Sequence, residues 1–137
     1  MGGRLDTIQA AVLNVKLKYY KKDLALRQEA ASKYTKILTT NHQSLITPFI
    51  SDKCTSAWAQ YSIRVKNRDE VQEKLKVVGI PTAVHYPMPL HLQECFEYLG
   101  YKKGDFPISE IVSQEIMSLP MNPYVSDEEI EYICENL

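Results

Sequence analysis

The chain has 137 residues, 45% hydrophobic and 24% charged, which is the balance of a folded domain and not of a disordered one. Its 16 Lys and Arg against 17 Asp and Glu leave a formal net charge of −1, so it carries no electrostatic footprint for nucleic acid or an anionic membrane. No apolar run approaches the ~18 residues of a membrane span, and Met1-Gly2-Gly3-Arg4 lacks a basic-then-apolar signal segment. Cys54, Cys95 and Cys134 are odd in number and widely spread, so they read as reduced thiols of a cytoplasmic protein.

Residues from about Leu5 to Thr40 read as one long helical stretch. Leu5, Ile8, Val12 and Val15 fall at helical spacing, widened by Leu13 and Leu17. Asp6 in the first turn suits the positive end of the helix dipole. Leu24, Ala31, Tyr34 and Leu38 carry a second stripe, and Lys18-Tyr19-Tyr20-Lys21-Lys22 weakens the pattern between them. That interruption predicts a bend or two tightly joined helices. The basic strip with its interleaved tyrosines reads as a solvated helix face, because acidic residues elsewhere cancel its charge.

The period then changes to two. Trp58, Gln60, Ser62 and Arg64 alternate with Ala57, Ala59, Tyr61, Ile63 and Val65, which predicts a strand. A helix follows over Arg68–Val78, with Asn67 as its N-cap and Glu70 at capping-box spacing. Thr82–Tyr86 reads as a second short strand, after which Pro87 and Pro89 forbid regular structure. A short helix over Leu92–Leu99 closes at Gly100, and a turn falls at Lys102-Lys103-Gly104-Asp105. Ile108–Met117 reads as a helix, and Ser118–Tyr124 as extended chain around Pro120 and Pro123. Ser126, with Glu129 three residues on, caps a last helix. The sum is one α+β domain over residues 1–137: a long N-terminal helix, a small antiparallel sheet and packed helices.

Reactive residue types concentrate in Thr82-Ala83-Val84-His85-Tyr86-Pro87-Met88-Pro89-Leu90-His91. Two histidines and a tyrosine on a proline-stiffened loop after a strand suit a substrate pocket wall, with imidazole and phenol as hydrogen-bonding or proton-carrying groups. The residues alone equally admit a packed Tyr86 and ordinary surface or capping histidines. His85, His91 and Cys95 match no tight zinc spacing and lack a fourth ligand, so no metal site is expected. There is no Gly-rich phosphate loop and no local signature of a nucleophilic triad. Cys54, beside Lys53, reads as an inert thiol.

Four stretches in order resemble the C-terminal part of the DegT/DnrJ/StrS sugar aminotransferases. They are Gly3-Arg4-Leu5-Asp6-Thr7-Ile8-Gln9-Ala10-Ala11-Val12-Leu13, His85-Tyr86-Pro87-Met88-Pro89-Leu90-His91-Leu92-Gln93, Gly104-Asp105-Phe106-Pro107-Ile108-Ser109-Glu110 and Ser118-Leu119-Pro120-Met121-Asn122-Pro123. The resemblance covers nearly the whole chain. It implies the small domain of a fold-type I enzyme that uses pyridoxal phosphate to move an amino group, usually from glutamate, onto a nucleotide-linked keto-sugar. It places His85, Tyr86 and His91 on the loop bordering the sugar-nucleotide pocket, and Arg4 near the subunit boundary beside the cofactor. In that family a preceding large domain supplies the Schiff-base lysine, the aspartate at the ring nitrogen and most phosphate contacts; none has a counterpart here. The family's asparagine two residues before the motif arginine is Gly2 in this chain. The expectation is therefore a truncated domain with no catalytic residue of its own, inactive alone and binding no cofactor by itself. A homodimer burying the apolar face that the large domain would cover is also expected. The alternative is a free-standing interaction module descended from such an enzyme.

Overall fold

The computed structural model describes residues 6–137, so Arg4 lies outside the described residues. The N-terminal stretch is two helices, α1 (Thr7–Leu17) and α2 (Tyr20–Asn41). Asp6 sits one place earlier than the first turn, as N-cap, its carboxylate accepting from the Gln9 N–H at 2.8 Å. At the joint, the Lys18 N–H reaches the Val15 carbonyl at 3.2 Å and the Tyr19 N–H the Lys16 carbonyl at 3.0 Å. These tightened i→i+3 bonds end α1, and α2 restarts at once with Asp23 N–H on Tyr19 O. Of the two apolar stripes, only the second is in the core: Ala30, Ala31, Tyr34 and Leu38 are buried, while no residue of α1 is.

The sheet has two strands among the described residues. β1 (Tyr61–Arg64) pairs antiparallel with β2 (Ile116–Leu119) in the register Tyr61↔Leu119, Ser62↔Ser118, Ile63↔Met117, Arg64↔Ile116. The period-two pattern holds where the strand exists, since Tyr61, Ile63 and Val65 are buried and Ser62 and Arg64 half-buried. The strand begins later than the sequence predicts because Trp58 takes a positive φ of 48°, which breaks the extended run. Three bonds hold Trp58 there: its indole N–H donates to Gln28 Oε1 at 3.0 Å, its amide to Ser56 Oγ at 3.1 Å, and its carbonyl accepts from Arg27 at 2.7 Å.

Four further expectations are corrected. The helix α3 (Arg68–Val77) starts where predicted, but Asn67 makes no side-chain cap, because its backbone is left-handed (φ 54°, ψ 41°) and not extended. Thr82–Tyr86 is not a strand: only Ala83 pairs, with Ser118, while the Thr82 hydroxyl is held by Gln72 of α3 at 2.8 Å. The predicted helix over Leu92–Leu99 is two 3-10 turns, Leu90–Leu92 and Glu94–Leu99, divided by an extended Gln93. The helix α4 (Pro107–Glu115) stops two residues early, and Ile116 and Met117 open β2, where Met117 is fully buried opposite Ile63. The last helix, α5 (Asp127–Glu135), carries the predicted Ser126–Glu129 capping box in full.

The core lies between α2, the sheet and α5. Tyr34 and Tyr61 stack with ring centroids 4.9 Å apart. The Tyr34 hydroxyl donates to the Pro120 carbonyl at 2.9 Å, and Tyr61 shares a 2.7 Å bond with Thr35. His42, at the end of α2, bonds the Cys134 carbonyl of α5 at 2.8 Å, and Lys33 pairs with Asp127 at the other end of α5. The fold is thus α+β, with the long arm as two helices and α2 as its keel. The loop from Pro81 to Phe106 is left outside this core, tied to α4 through Glu110 and to the β2 edge at Ser118.

Candidate functional site

The sequence places its reactive residues on that loop, and the fold turns the loop into one wall of a cleft. The opposite wall is α4 with the start of β2. The cleft has a volume of about 520 Å³, and its lining includes His85, Tyr86 and His91 together with Phe96, Tyr101 and Phe106. Apart from the histidines and the serines 109 and 113, the lining is apolar or aromatic, the usual make-up of a small-molecule site.

The three singled-out residues stand in different settings. The His85 Nδ1 lies 3.3 Å from Ser118 Oγ, which also bonds Ser62 Oγ at 2.9 Å, so that ring is tied to the sheet. Tyr86 is 74% exposed at the mouth, and its hydroxyl has no hydrogen-bond partner among the described residues. Its phenol is therefore open to both donate to and accept from a ligand. His91 is the reverse. Its side chain is only 8% exposed, its Nε2 is 3.0 Å from Glu110 Oε1, and its ring packs on Phe106 at 4.8 Å. His91 faces the cleft as a braced structural element, with one nitrogen already committed.

Glu110 is the residue that sequence reasoning passed over. Its role has no signal in the sequence, since its partner His91 is 19 positions away and on another element. The same Oε1 accepts the Gly104 N–H at 2.7 Å. That N–H, opposed by burial and assisted by the His91 imidazole, holds the Glu110 carboxyl below its ordinary 4.5. Gly104 presents its amide from a turn at φ 98°, a conformation in which a side chain would be strained. Ser118 was likewise missed as the anchor of His85. Two serines directly opposite in a strand pair have no signal before the register is known.

Among the described residues no three His, Cys, Asp or Glu side chains gather as metal ligands. Cys54 and Cys95 are exposed and Cys134 is buried, each as a free thiol, and burial lifts the Cys134 thiol from 9.0 to about 11. No helix among the described residues is long and apolar enough to cross a membrane.

The DegT/DnrJ/EryC1/StrS aminotransferase family profile matches residues 1–137. The chain belongs to this family. It is 41% identical, over all of its length, to a UDP-2-acetamido-2-deoxy-3-oxo-D-glucuronate aminotransferase of Pseudomonas aeruginosa, of which it spans 37%. Among solved structures, a DegT DnrJ EryC1 StrS aminotransferase from Brucella abortus superposes with a TM-score of 0.87 at 38% identity, covering 97% of this chain and 35% of that one. DesV of Streptomyces venezuelae superposes with a TM-score of 0.90 at 27% identity, covering 97% and 36%. The chain thus spans about a third of the length of the relatives it matches.

The cofactor of the DegT/DnrJ/EryC1/StrS family is pyridoxal phosphate. The cleft does not fit it as a site. Among the described residues its lining includes no lysine to form an imine and no arginine or lysine to meet a phosphate. What it offers is an apolar floor, one open phenol and two tethered imidazoles.

Proposed function

We propose that this chain is the C-terminal part of an aminotransferase that acts on nucleotide-linked keto-sugars, with glutamate as amino donor. Its contribution is one wall of the substrate pocket. The carrying observation is the Tyr86 phenol, exposed and unpartnered at the mouth of an apolar cleft, in a chain that matches sugar aminotransferases from end to end. In this reading Tyr86 hydrogen-bonds the sugar nucleotide, His85 lies behind it on the sheet, and His91 shapes the wall. For Arg4, outside the described residues, the family resemblance implies a role at the subunit boundary near the cofactor. The cofactor, when bound to the parent enzyme, supplies the electron sink for the amino transfer; its lysine belongs to the part of the parent upstream of this chain. Alone, the chain is then inactive.

The first test is the intact mass of the protein in the cell that makes it. A parent of roughly three times the 15.7 kDa of this chain is expected, as its 37% share of the Pseudomonas relative implies. A mass near 15.7 kDa overturns the reading. The second is spectroscopic. Pyridoxal phosphate added to this chain is expected to give no saturable visible band, and a lysine-dependent band saturating at one per chain sinks the claim that the amine lies upstream.

The exposed face of α1 favours one companion reading. Ile8, Val12, Val15 and Leu17 are each at least half exposed, and Leu13 is close to it. Such an apolar stripe seeks a cover, and in the isolated chain a second copy supplies it. Sedimentation over a concentration series is expected to show a dimer; monomer throughout removes this reading.

A further inference from the structure

The loop that carries Tyr86 is fastened at both ends. Upstream, Ala83 exchanges backbone hydrogen bonds with Ser118 at 3.2 and 2.7 Å, and His85 reaches the same serine's hydroxyl at 3.3 Å. Downstream, His91 is held by Glu110. Between these points Pro87 and Pro89 fix two of the intervening φ angles near −65°. Fixing His91 therefore fixes most of what Tyr86 can do. The second loop of the cleft, residues 100–106, is held by the same carboxylate through Gly104. The two loops meet on Phe106, whose ring is 4.8 Å from that of His91 and 5.0 Å from that of Tyr101.

We propose that Glu110 is a positioning residue: its single oxygen Oε1, receiving both the Gly104 N–H and the His91 Nε2, latches the two cleft loops onto α4 and thereby sets where Tyr86 stands. The carboxylate is 13% exposed and the imidazole 8%, so water does not easily replace the His91 bond, whereas the Gly104 bond lies at the surface. A charged acceptor also holds each donor more tightly than a neutral one would. Removing it leaves the sheltered His91 donor without a partner and the Gly104 N–H to water, and each loop loses its only side-chain bond to α4 among the described residues. Glu110 itself touches nothing at the mouth of the cleft, and its effect on a ligand passes through Tyr86. What Tyr86 is positioned for rests on the substrate reading above; the latch does not.

Amide hydrogen exchange by NMR on the 137-residue chain tests the latch. The reporters are Gly104, bonded to Glu110, and Leu92 and Gln93, whose N–H groups close the 3-10 turn on Pro89 and Leu90 at 3.1 Å each. Glu110→Ala is expected to speed exchange at these three amides by about tenfold or more, to leave α2 and α5 at their native rates, and to shift the Tyr86 amide resonance. Glu110→Gln keeps an oxygen in place for both donors, and is expected to restore most of the protection and the native Tyr86 shift. Native rates in Glu110→Ala, or an equal rise through α2 and α5, overturns the proposal, as does a Gln variant as loose as the Ala one. Should Glu110→Ala fail to fold, His91→Phe decides. It keeps the ring on Phe106, and is expected to free Leu92 and Gln93 while Gly104 stays slow. Unchanged rates at Leu92 and Gln93 count against the latch. A separate binding measurement on the full-length parent, with a UDP-sugar and a dTDP-sugar as probes, tests the role of Tyr86. In the full-length parent, a Tyr86→Phe variant that binds a UDP-sugar and a dTDP-sugar as tightly as the unaltered enzyme removes the substrate reading and leaves the latch standing, whereas uniform exchange removes the latch and leaves the substrate reading.

Discussion

The helices α1 and α2 are separated by two residues and share one basic, tyrosine-rich joint, yet they live in different surroundings. The helix α1 is the more apolar of the two, and none of its residues is buried. The helix α2 is studded with charge and still places Ala31, Tyr34 and Leu38 at 1% exposure or less. The difference teaches that apolar content does not choose the core. The partner does. Tyr34 has Tyr61 to stack on and Pro120 to donate to, and Lys33 and His42 pin the two ends of α5 along α2. Among the described residues nothing comparable faces α1, whose 11 residues would be marginal as an isolated helix in water.

The sharpest way to break the comparison is to cut into α2. Leu38 is fully buried among α2, the sheet and α5. Leu38→Ala is expected to cost about 2–5 kcal/mol, from lost burial and a cavity that the stacked tyrosines cannot close. Denaturant unfolding measures it. A cost under ~1 kcal/mol would mean that α2 is not the keel described here.

The second test uses base. Burial pushes the Tyr61 phenol up to about 12 and the Cys134 thiol up to about 11, and drives the Tyr34 phenol upward as well. Each is a group whose folded form holds its proton more tightly than the unfolded chain does. Stability is therefore whole below the ordinary values of 9.0 and 10.0, and falls as pH rises through the raised ones. The melting temperature is expected to decline steadily between about pH 9 and 12. In Cys134→Ala the first part of that decline is expected to shrink. A melting temperature flat to pH 12 rejects the account of the core.

These contrasts show what sequence reasoning can reach. The stripe of α2 and the Ser126–Glu129 box were legible because their partners lie within the same helix turn or at regular spacing. Asn67 and Glu70 have the same box spacing, but the left-handed backbone at Asn67 withdraws the side chain, and spacing carries no φ. The end of α4 was overrun because no Gly or Pro separates Glu115 from Ile116, and the switch to strand comes from pairing with β1. Thr82–Tyr86 falls short of a strand because Ala83 alone pairs with the β2 edge, at Ser118, and the sequence does not say how much of that edge is open to pairing. In the candidate site, His85, Tyr86 and His91 were visible as residue types on a stiff loop. Glu110 and Ser118, which decide what two of those side chains can do, were not, because each acts across the tertiary structure. The α1 stripe was legible as a pattern, but a pattern does not say what covers it.

A smaller effect sharpens the α2–α5 contact. Ser126 accepts the Glu129 N–H at 3.2 Å, and Glu129 returns the bond to the Ser126 N–H at 2.8 Å. Ser126→Ala is expected to cost about 1 kcal/mol in denaturant unfolding, the usual worth of a helix N-cap. A neutral result would show that the hold of α2 on α5, through Lys33 at Asp127 and His42 at Cys134, orders that helix without its cap.

The smallest expected effect falls on α1 and is the most telling. Val12 is 50% exposed near the middle of that helix. In dilute solution Val12→Ser is expected to change stability by no more than about 0.5 kcal/mol, because it removes no packed contact. If a second copy covers the stripe, the melting temperature of the unaltered chain rises with concentration, as it must when association favours the folded form. In Val12→Ser that rise is expected to weaken, since a hydroxyl then sits at the centre of the apolar contact. Identical concentration dependence in the two proteins would separate α1 from any self-association. A large loss in dilute solution would do more: it would show that α1 already packs within one chain, and the contrast with α2 would fall.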